Sequence, residues 1–540
     1  MTATLREWRV RTPAANHTQV SRERWWLDLG IVVPALAAVA YVTVLVIRLT
    51  SDLSSFYWYS DFPETLRLGD AVFHHGYGQG LSVPAQTGIG PLWVVGMLDQ
   101  VTGNDIVGMT VGALMVVLAV GLMAWTAYRV IGRLGAVVVG VLCVAAPPVV
   151  AWEMLTPVAH ESTVLLAAIG AWQLVSLSQP ARGRAIASSA LVGAVAGVCV
   201  ISDALAVPAA VAPWIVCAIL LVRRNHSKGL PIVITAGAAI ASAAAVVFLA
   251  TGSGIVARGG VGLALSMNGV SAGLHSVTTT LGQMISGAWY AEGIPAALAV
   301  AGLVSFVAVL LMATRAVRQH ATGSVPGRDV YVWFWSLACA GLIAAYCISG
   351  LGIQHSPIDY QGHYVDELWF AIAALLPLGF LWLGSIRRIL LVACAASLAV
   401  VSTVGVAAAP AYLFNGPDYV DTARLTSTLV SLGARRGYGG YWESYAVGWH
   451  TDTRITALPL QQCASGLCRY AFAAPAWYQR QPGPVFVIVQ ASACSHDTLC
   501  IDASNLEGLP PPESVHAVGL LRVYIYAQDV FAGLPMATGL

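Results

Sequence analysis

The stretch that decides the fold is the polar interval between the first two long apolar runs, residues 51–91. It opens with Ser51-Asp52-Leu53-Ser54-Ser55-Phe56-Tyr57-Trp58-Tyr59-Ser60-Asp61-Phe62-Pro63-Glu64 and closes at Gly90-Pro91. The interval holds four carboxylates, two histidines, one arginine and clustered aromatic rings. Loops of this length are usually functional or disordered, and disordered segments are poor in aromatic residues. We therefore expect this loop to form the floor of a reaction site.

The composition of the whole chain is that of a membrane protein. Of its 540 residues 57% are hydrophobic and only 10% are charged, and the mean hydropathy is +0.73. Soluble globular proteins carry about 25% charged residues, so lipid must solvate most of this chain. The net charge of +1 gives no basis for nucleic-acid binding.

Eleven apolar runs have the length expected of membrane spans. The first follows Arg22 and Arg24 and resembles a signal peptide, but it is longer than a secretory apolar region of about 7–15 residues. We therefore predict an uncleaved span. The piece from Pro91 to Val101 is too short to cross and is expected to lie in the interface or to re-enter it. The predicted spans lie near 27–49, 106–128, 134–151, 161–178, 187–202, 204–222, 230–252, 294–314, 330–350, 367–386 and 389–411.

The distribution of charge predicts the orientation. With residues 1–26 in the cytoplasm, every inner segment carries at least two cations, and the inner side holds 17 of the 27 Lys and Arg residues. Only Arg48, Arg67 and Arg258 fall on the outer side of the membrane region. This asymmetry follows the positive-inside rule. Acidic residues, histidines and aromatic rings gather at the opposite, outer ends.

The composition changes after Pro410. Residues 413–540 contain a helical pattern near 419–432 and two strand-like runs, Pro484–Val489 and His516–Tyr526. They predict a small extracytoplasmic α/β domain. Its four cysteines, Cys463, Cys468, Cys494 and Cys500, suit two local disulfides, whose connectivity the sequence leaves open. A zinc site is the alternative, although the spacings fit its usual pattern poorly.

The first candidate catalytic group is the pair Asp61 and Glu64. A carboxylate at the membrane surface can act as general base towards an acceptor hydroxyl, and a spacing of three places both residues on one helical face. Pro63 suits the first turn of such a helix. The alternative is a solvated loop edge that merely begins a helix.

Candidate donor- or acceptor-binding residues occur at the other outer ends. Asp203 interrupts an apolar stretch, so it is either a turn residue or a buried carboxylate with a partner. Arg258 is the preferred phosphate contact, although it also suits a membrane anchor. The full candidate set is His75, Glu153, His160, Glu161, Asp203, Arg258, His355, Asp359 and His363.

No metal site is assigned from the sequence. The third outer loop could supply imidazole and carboxylate ligands for a divalent ion, but it shows no recognised ligand spacing. The residues concerned are His355, Asp359, His363, Asp366 and Glu367. The cofactor requirement therefore stays unknown.

Several of these segments resemble the GT-C superfamily of membrane glycosyltransferases. Its members include polyprenyl-phosphate-mannose-dependent protein mannosyltransferases and bacterial aminoarabinose and arabinose transferases. The similarity lies in the first-loop pattern, in the outer hairpins with His160-Glu161 and Asp203, and in the tail motif at 437–445. The first-loop pattern consists of Asp61-Phe62-Pro63-Glu64, Leu66, Gly69, His75-Gly76, Gln86 and Gly90-Pro91-Leu92-Trp93.

The resemblance implies a GT-C-like α-helical polytopic protein of about eleven transmembrane helices in the plasma (inner) membrane. Residues 27–412 would form the membrane domain, with the first outer loop at 50–91, and residues 413–540 the extracytoplasmic α/β domain. The family pattern makes Asp61 the base and Glu64 its support. The implied partners are a polyprenyl-phosphate sugar donor, membrane lipid, and an extracytoplasmic glycan, lipid or protein acceptor.

Three hypotheses of function follow. The leading one is an inverting glycosyltransferase. The second is a transporter or flippase, which would place ionisable residues near the membrane midplane. The third is a non-catalytic relative that keeps the fold and binds a lipid or a partner.

Overall fold

The computed structural model describes nineteen parts of the chain. These are residues 32–33, 35–47, 61–73, 82–84, 89–103, 105–155, 160–178, 185–252, 254–258, 266–286, 327–349, 367–378, 385–408, 422–450, 454–464, 466–471, 473–480, 482–494 and 498–537.

The membrane region is built from helices that follow the apolar runs. Two short strands, β1 (Ser82–Pro84) and β2 (Val256–Arg258), pair in parallel and join the two loops that the sequence predicts to be the first and second outer loops. The helices are α1 (Ala35–Ile47), α2 (Asp61–Phe73), α3 (Ile89–Thr102), α4 (Asp105–Ile131), α5 (Arg133–Val144), α6 (Pro148–Leu155), α7 (Glu161–Ser178), α8 (Ala185–Ser202), α9 (Ala212–Arg224), α10 (Gly229–Gly252), α11 (Met267–Ser286), α12 (Arg328–Ile348), α13 (Glu367–Leu375) and α14 (Ser385–Ala408).

Five helical segments among the described residues are long and apolar enough to cross a membrane, and five shorter apolar helices accompany them. The long segments are Thr110–Ile131, Glu161–Ser178, Val207–Arg224, Gly229–Gly252 and Arg328–Ile348. The shorter ones overlap predicted spans, of which 134–151 is divided between α5 and α6, whereas the predicted span at 294–314 lies outside the described residues. The chain is thus a helical membrane protein, and the count of eleven spans stays a prediction.

Helix α7 forms the centre of the bundle. Fifteen of its eighteen residues are buried, as expected for a helix that is apolar on all sides and surrounded by others. Helix α10 lies at the periphery, because Ile240 and Phe248 are 71% and 75% exposed. In a membrane, lipid covers such side chains.

Helices α8 and α10 approach each other closely at two glycines. A Cβ atom at Gly193 or at Gly197 would clash with the backbone carbonyl of Thr235 or Ala239. The spacing of four residues is the small-residue pattern that lets membrane helices pack backbone to backbone. Ser242 adds a hydrogen bond from its Oγ to the Ala194 carbonyl, at 2.8 Å.

The two ends of the bundle differ in chemistry. At the C-terminal end of α7, Arg129 donates to Ser176 at 3.2 Å, and on the α9–α12 pair Arg224 contacts Asp329 at 3.1 Å. The N-terminal end of α7 carries His160 and Glu161. Eighteen residues at 1.5 Å each place the two ends of α7 about 27 Å apart.

The C-terminal domain contains a six-stranded mixed sheet with strand order β5-β4-β3-β6-β8-β7. Strand β3 pairs in parallel with β4 and β6, whereas the remaining neighbours are antiparallel. Its helices are α15 (Thr422–Ser431) and α16 (Tyr441–His450), and its strands are β3 (Arg436–Gly439), β4 (Thr456–Cys463), β5 (Gly466–Arg469), β6 (Val485–Gln490), β7 (Ser514–Val518) and β8 (Leu521–Tyr526).

Apolar side chains cover both faces of this sheet. Strand β6 is buried from Val485 to Val489, as expected for a central strand whose two faces are both covered. On one face Phe486 and Ile488 pack with Leu425 of α15. On the other face Val487 belongs to a cluster rich in tyrosine rings.

The predicted local disulfides are confirmed. Cys463 pairs with Cys468 across the β4–β5 hairpin, and Cys494 pairs with Cys500 in the segment after β6. Their Cα atoms lie 6.0 Å and 5.8 Å apart, within the range that a disulfide spans. The six cysteines in the membrane region, all within the described residues, are not disulfide-bonded.

Candidate functional site

A buried polar cluster lies where the ends of three helices meet. His160 precedes α7, Asp203 follows α8, and Glu367 begins α13. Their exposed fractions are 1%, 1% and 4%. The sequence predicted His160 and Asp203 as site residues, and the structure brings them together from positions 43 residues apart.

Asp203 combines both roles that the sequence allowed. One carboxylate oxygen, Oδ2, lies 2.8 Å from His160 Nδ1 and accepts a hydrogen bond from Thr163 Oγ1 at 2.6 Å. The other oxygen, Oδ1, accepts from the backbone N–H of Leu205 at 2.8 Å. Asp203 therefore forms a turn after α8 and is also a buried carboxylate with side-chain partners. A π-helical turn, Val207–Val211, follows before α9 begins.

Glu367 completes the cluster from the other side of His160. Its Oε1 lies 3.4 Å from His160 Nδ1, the nitrogen that also faces Asp203. Buried charges are tolerated when they are paired and hydrogen-bonded. An imidazolium would neutralise one of the two carboxylates, which leaves one negative charge at this point of the cluster. The cluster is thus suited to hold a proton or a cation, or to orient a substrate hydroxyl.

A small cavity adjoins the cluster. The space within it that the centre of a water molecule can occupy is about 10 Å³. This is enough for about one water. Thr163 and Glu367 contribute polar groups to its wall, and Trp335, Phe370 and Leu342 contribute apolar surface. Trp335 Nε1 is buried and has no hydrogen-bond partner among the described residues.

His160, Asp203 and Glu367 fit a divalent cation by donor type. One ligand atom of each lies within 4.8 Å of the others, and imidazole with two carboxylates is a donor set that zinc accepts. This set differs from the third-loop ligands considered from the sequence, with which it shares only Glu367. A bound cation would offset the carboxylate charge and could polarise a phosphate oxygen.

The predicted catalytic pair lies on α2. Asp61 is the first residue of this helix, Pro63 stands in its first turn, and Glu64 follows one turn after Asp61. The Glu64 side chain is 6% exposed, and its Oε2 accepts a hydrogen bond from the Tyr441 hydroxyl of the C-terminal domain at 2.6 Å. The side chain of Asp61 lies outside the described residues.

Of the other predicted site residues, some have described side chains, some have only a described backbone, and some lie outside the described residues. Glu161 adjoins His160 and is completely buried. Glu153 belongs to α6 and Arg258 to β2, where the Arg258 backbone pairs with Pro84 of the first loop, but their side chains lie outside the described residues. His75, His355, Asp359 and His363 also lie outside them.

Sequence reasoning missed three residues of the two contact regions, and it grouped a fourth, Glu367, with the third-loop residues as a possible metal ligand. Thr163 and Trp335 gave no signal, because a threonine and a tryptophan in apolar runs are ordinary. Tyr441 belongs to the quoted 437–445 motif, which could have singled out the residue but not its contact with Glu64.

Comparison with solved structures identifies the architecture. ArnT from Cupriavidus metallidurans bound to undecaprenyl phosphate matches 92% of this chain and 99% of its own, with a TM-score of 0.51 and 10% sequence identity. Apo ArnT covers the same shares of the two chains, with a TM-score of 0.49 and 11% identity.

A third solved structure is an archaeal protein of larger size. The Archaeoglobus fulgidus oligosaccharyltransferase in complex with Zn and sulfate matches 84% of this chain and 67% of its own, with a TM-score of 0.46 and 12% identity. No protein-family model and no curated protein sequence matches the chain. The likeness to ArnT, an aminoarabinose transferase, nevertheless extends over almost the whole chain. The chain therefore has the same overall fold as ArnT.

Proposed function

We propose that this protein is a glycosyltransferase that moves a sugar from a polyprenyl-phosphate donor to an acceptor outside the cytoplasm. The observation that carries the proposal is the convergence of His160, Asp203 and Glu367 in one buried cluster of a GT-C fold. Burying ionisable groups in a membrane protein costs free energy, so groups that are buried there are usually paired and functional. The match to ArnT bound to undecaprenyl phosphate supports a lipid-linked donor.

The reaction is an inverting displacement. Asp61 accepts the proton of the acceptor hydroxyl, whose oxygen attacks the anomeric carbon of the donor sugar. The bond from that carbon to the phosphate oxygen breaks, and polyprenyl phosphate leaves with the electron pair. One glycosidic bond replaces one phosphate ester, so atoms and charge balance without an oxidant or reductant.

The cluster and the outer loops bind the two substrates. His160 and Asp203 orient polar groups at the site, and Glu161 and Glu153, from the hairpin that contains His160, are further binding residues. Arg258 contacts the donor phosphate, because an arginine can hold phosphate oxygens through several N–H groups. His75 of the first loop and His355, Asp359 and His363 of the third complete the binding residues.

The experiment uses membranes that contain the full chain, a panel of polyprenyl-phosphate sugars and endogenous acceptors. Replacing Asp61 by Asn should lower sugar transfer at least about 100-fold, which is the lower range for loss of a general base. An Asp99→Asn variant, on α3, is the matched control and should transfer normally. Binding of donor by the wild type without transfer, over the whole panel, would instead support a non-catalytic lipid-binding protein.

A further inference from the structure

The C-terminal domain contacts the first-loop helix through a buried hydrogen bond. The Tyr441 hydroxyl donates to Glu64 Oε2 at 2.6 Å, and the two residues lie 377 positions apart in the chain. Both side chains are buried, with exposed fractions of 3% and 6%. Since water is excluded, the carboxylate depends on hydrogen bonds from protein groups at this point.

A second contact lies one turn further along the same helix. The Arg67 guanidinium carbon is 4.3 Å from the centre of the Trp477 ring, within the range of a cation–π interaction. Leu68 and Ala71 share an apolar cluster with Ala474 and Trp477. These positions of α2 follow the helical repeat, so one face of the helix is turned to the C-terminal domain.

The rest of α2 packs against the membrane domain. At Gly69 and Gly96 the backbones of α2 and α3 touch, and a Cβ atom at Gly96 would clash with the Gly69 carbonyl. Leu66 joins a different apolar cluster with Val95 of α3. The helix that begins at Asp61 is therefore held between the membrane domain and the C-terminal domain.

We propose that the C-terminal domain acts as the positioning element of the active site, with Tyr441 and Trp477 fixing α2 and thereby the place of Asp61. This inference rests on the proposed function for the role of Asp61. Glu64 is then the anchor of the helix. Tyr441 is a positioning residue, since it acts on Asp61 only through Glu64 and the helix.

The chemistry of Glu64 in this role differs from that of a proton acceptor. An anchor needs an oxygen that accepts from the Tyr441 hydroxyl, and a glutamine amide supplies one. A leucine of similar size supplies none. Glu64→Gln should therefore perturb α2 less than Glu64→Leu, whereas a proton-accepting role would make both changes equally damaging to transfer.

The first experiment measures amide hydrogen exchange of residues 61–73 in the purified full-length protein. Tyr441→Phe should raise exchange in this segment at least about tenfold. Local opening of the segment then no longer requires the buried hydrogen bond to break, so it becomes more frequent. Tyr524→Phe removes a half-buried tyrosine hydroxyl elsewhere in the same domain and is the matched control. Unchanged exchange in Tyr441→Phe would overturn the proposal.

The double variant tests whether the two residues act together. If Glu64 and Tyr441 work through one bond, Glu64→Leu with Tyr441→Phe should raise exchange no more than the stronger single variant. Additive increases would overturn the proposal. Glu64→Gln should lie between the wild type and Glu64→Leu, and exchange equal to that of Glu64→Leu would count against it.

Kinetics separate this inference from the proposed function. Tyr441→Phe should lower kcat for sugar transfer about tenfold and leave KM for the donor within twofold, because it alters the place of the base and not the donor site. A rise in KM with kcat unchanged would overturn the positioning role. Absence of transfer by the wild type would refute the proposed function, whereas the exchange result would still decide whether the domain holds α2.

Discussion

At the scale of single residues, Asp203 shows how one side chain can terminate a helix and build a site. Its Oδ1 caps the turn through Leu205 N–H, which leaves Oδ2 for His160 and Thr163. The backbone bond fixes the orientation of the carboxylate, so the two side-chain donors meet an oxygen that is already in place. An aspartate suits this position because its short side chain serves both purposes.

Asp203→Asn should destabilise the protein. The amide can still accept from Leu205, but its NH₂ group would face the two donors that now bind Oδ2, and each lost bond of this kind costs about 1–3 kcal/mol. We expect the thermal unfolding midpoint of the detergent-purified protein to fall by several degrees. Asp329→Asn is the matched control, because Asp329 pairs with Arg224 at an exposed site, where such pairs contribute about 0–1 kcal/mol. Equal shifts would contradict the prediction.

A second carboxylate, Asp502, stabilises the C-terminal domain in a pH-dependent way. Burial alone would raise the pKa of Asp502, but hydrogen bonds from Ser504 and from the backbone N–H groups of Cys494, Ser504 and Asn505 outweigh it and hold the pKa below its usual value. A lowered folded-state pKa gives stability that is present above the unfolded pKa and is lost as the pH falls through the folded one.

Asp502→Ala should therefore weaken the domain by about 1 kcal/mol at pH 7, the usual loss for a helix cap. The difference from wild type should shrink below about pH 4, where the Asp502 carboxylate of the unfolded wild type takes up a proton before that of the folded domain does. This difference in stability is measured by comparing hydrogen exchange of the segment around Cys494 in the variant and in the wild type at each pH. Glu513→Ala, an exposed acid of the same domain, is the control. A difference that persists at low pH would show that the charge is not responsible.

At the scale of elements, helices α8 and α10 make a close contact through glycine residues. Helices α8 and α10 have little hydrophobic drive to associate in lipid, because the surroundings are as apolar as the helices. Close backbone approach at Gly193 and Gly197 gives dispersion contacts instead. The pair matters for the site, since Asp203 follows the last residue of α8.

Gly197→Ala tests this packing. The added methyl group would meet the Ala239 carbonyl and the Ser242 side chain, so the helices must separate or bend. Overpacking of this kind costs about 1–3 kcal/mol, and we expect a lower unfolding midpoint and a lower yield of folded protein. Gly237→Ala, on α10, is the control, because a Cβ there meets nothing within 4 Å. Its helix propensity gain should leave stability equal or higher. If both variants behave alike, the close approach is not stabilising.

At the scale of the whole molecule, the sequence predicted the architecture better than the contacts. Hydropathy located the apolar helices, and the acids and histidines at their ends pointed to His160 and Asp203. An ionisable residue in or beside an apolar run is noticeable because burying it costs free energy, so such residues usually have a function. The possible helix turn at Asp61 and Glu64 and the short apolar piece from Pro91 to Val101 were also visible in local patterns, and they correspond to α2 and α3.

The remaining contacts depend on packing that no local pattern encodes. Glu367 approaches His160 across more than two hundred residues, and Trp335 reaches the cavity from the middle of α12. The bond between Glu64 and Tyr441 joins two domains. Each partner alone gives an ordinary sequence signal, so the pairing could not be predicted from periodicity or composition.

The orientation of the molecule is the last prediction, and it concerns every element at once. Cations occupy the end of the bundle marked by Arg129 and Arg224, whereas the acidic cluster lies at the opposite end of α7. The cationic end should face the cytoplasm because basic loops are retained there. The disulfide-bonded C-terminal domain should then lie outside, where disulfides persist.

A reporter enzyme that folds only in an oxidising compartment can test this orientation. Fused after Leu540 in the full chain, it should be active, and inserted after Gly183, in the predicted inner hairpin, it should be inactive. The pair of fusions controls for expression, since each measures the same reporter on the same protein. The reverse pattern would place the acidic cluster in the cytoplasm. That outcome would exclude an extracytoplasmic acceptor, and with it the transfer reaction proposed for this fold.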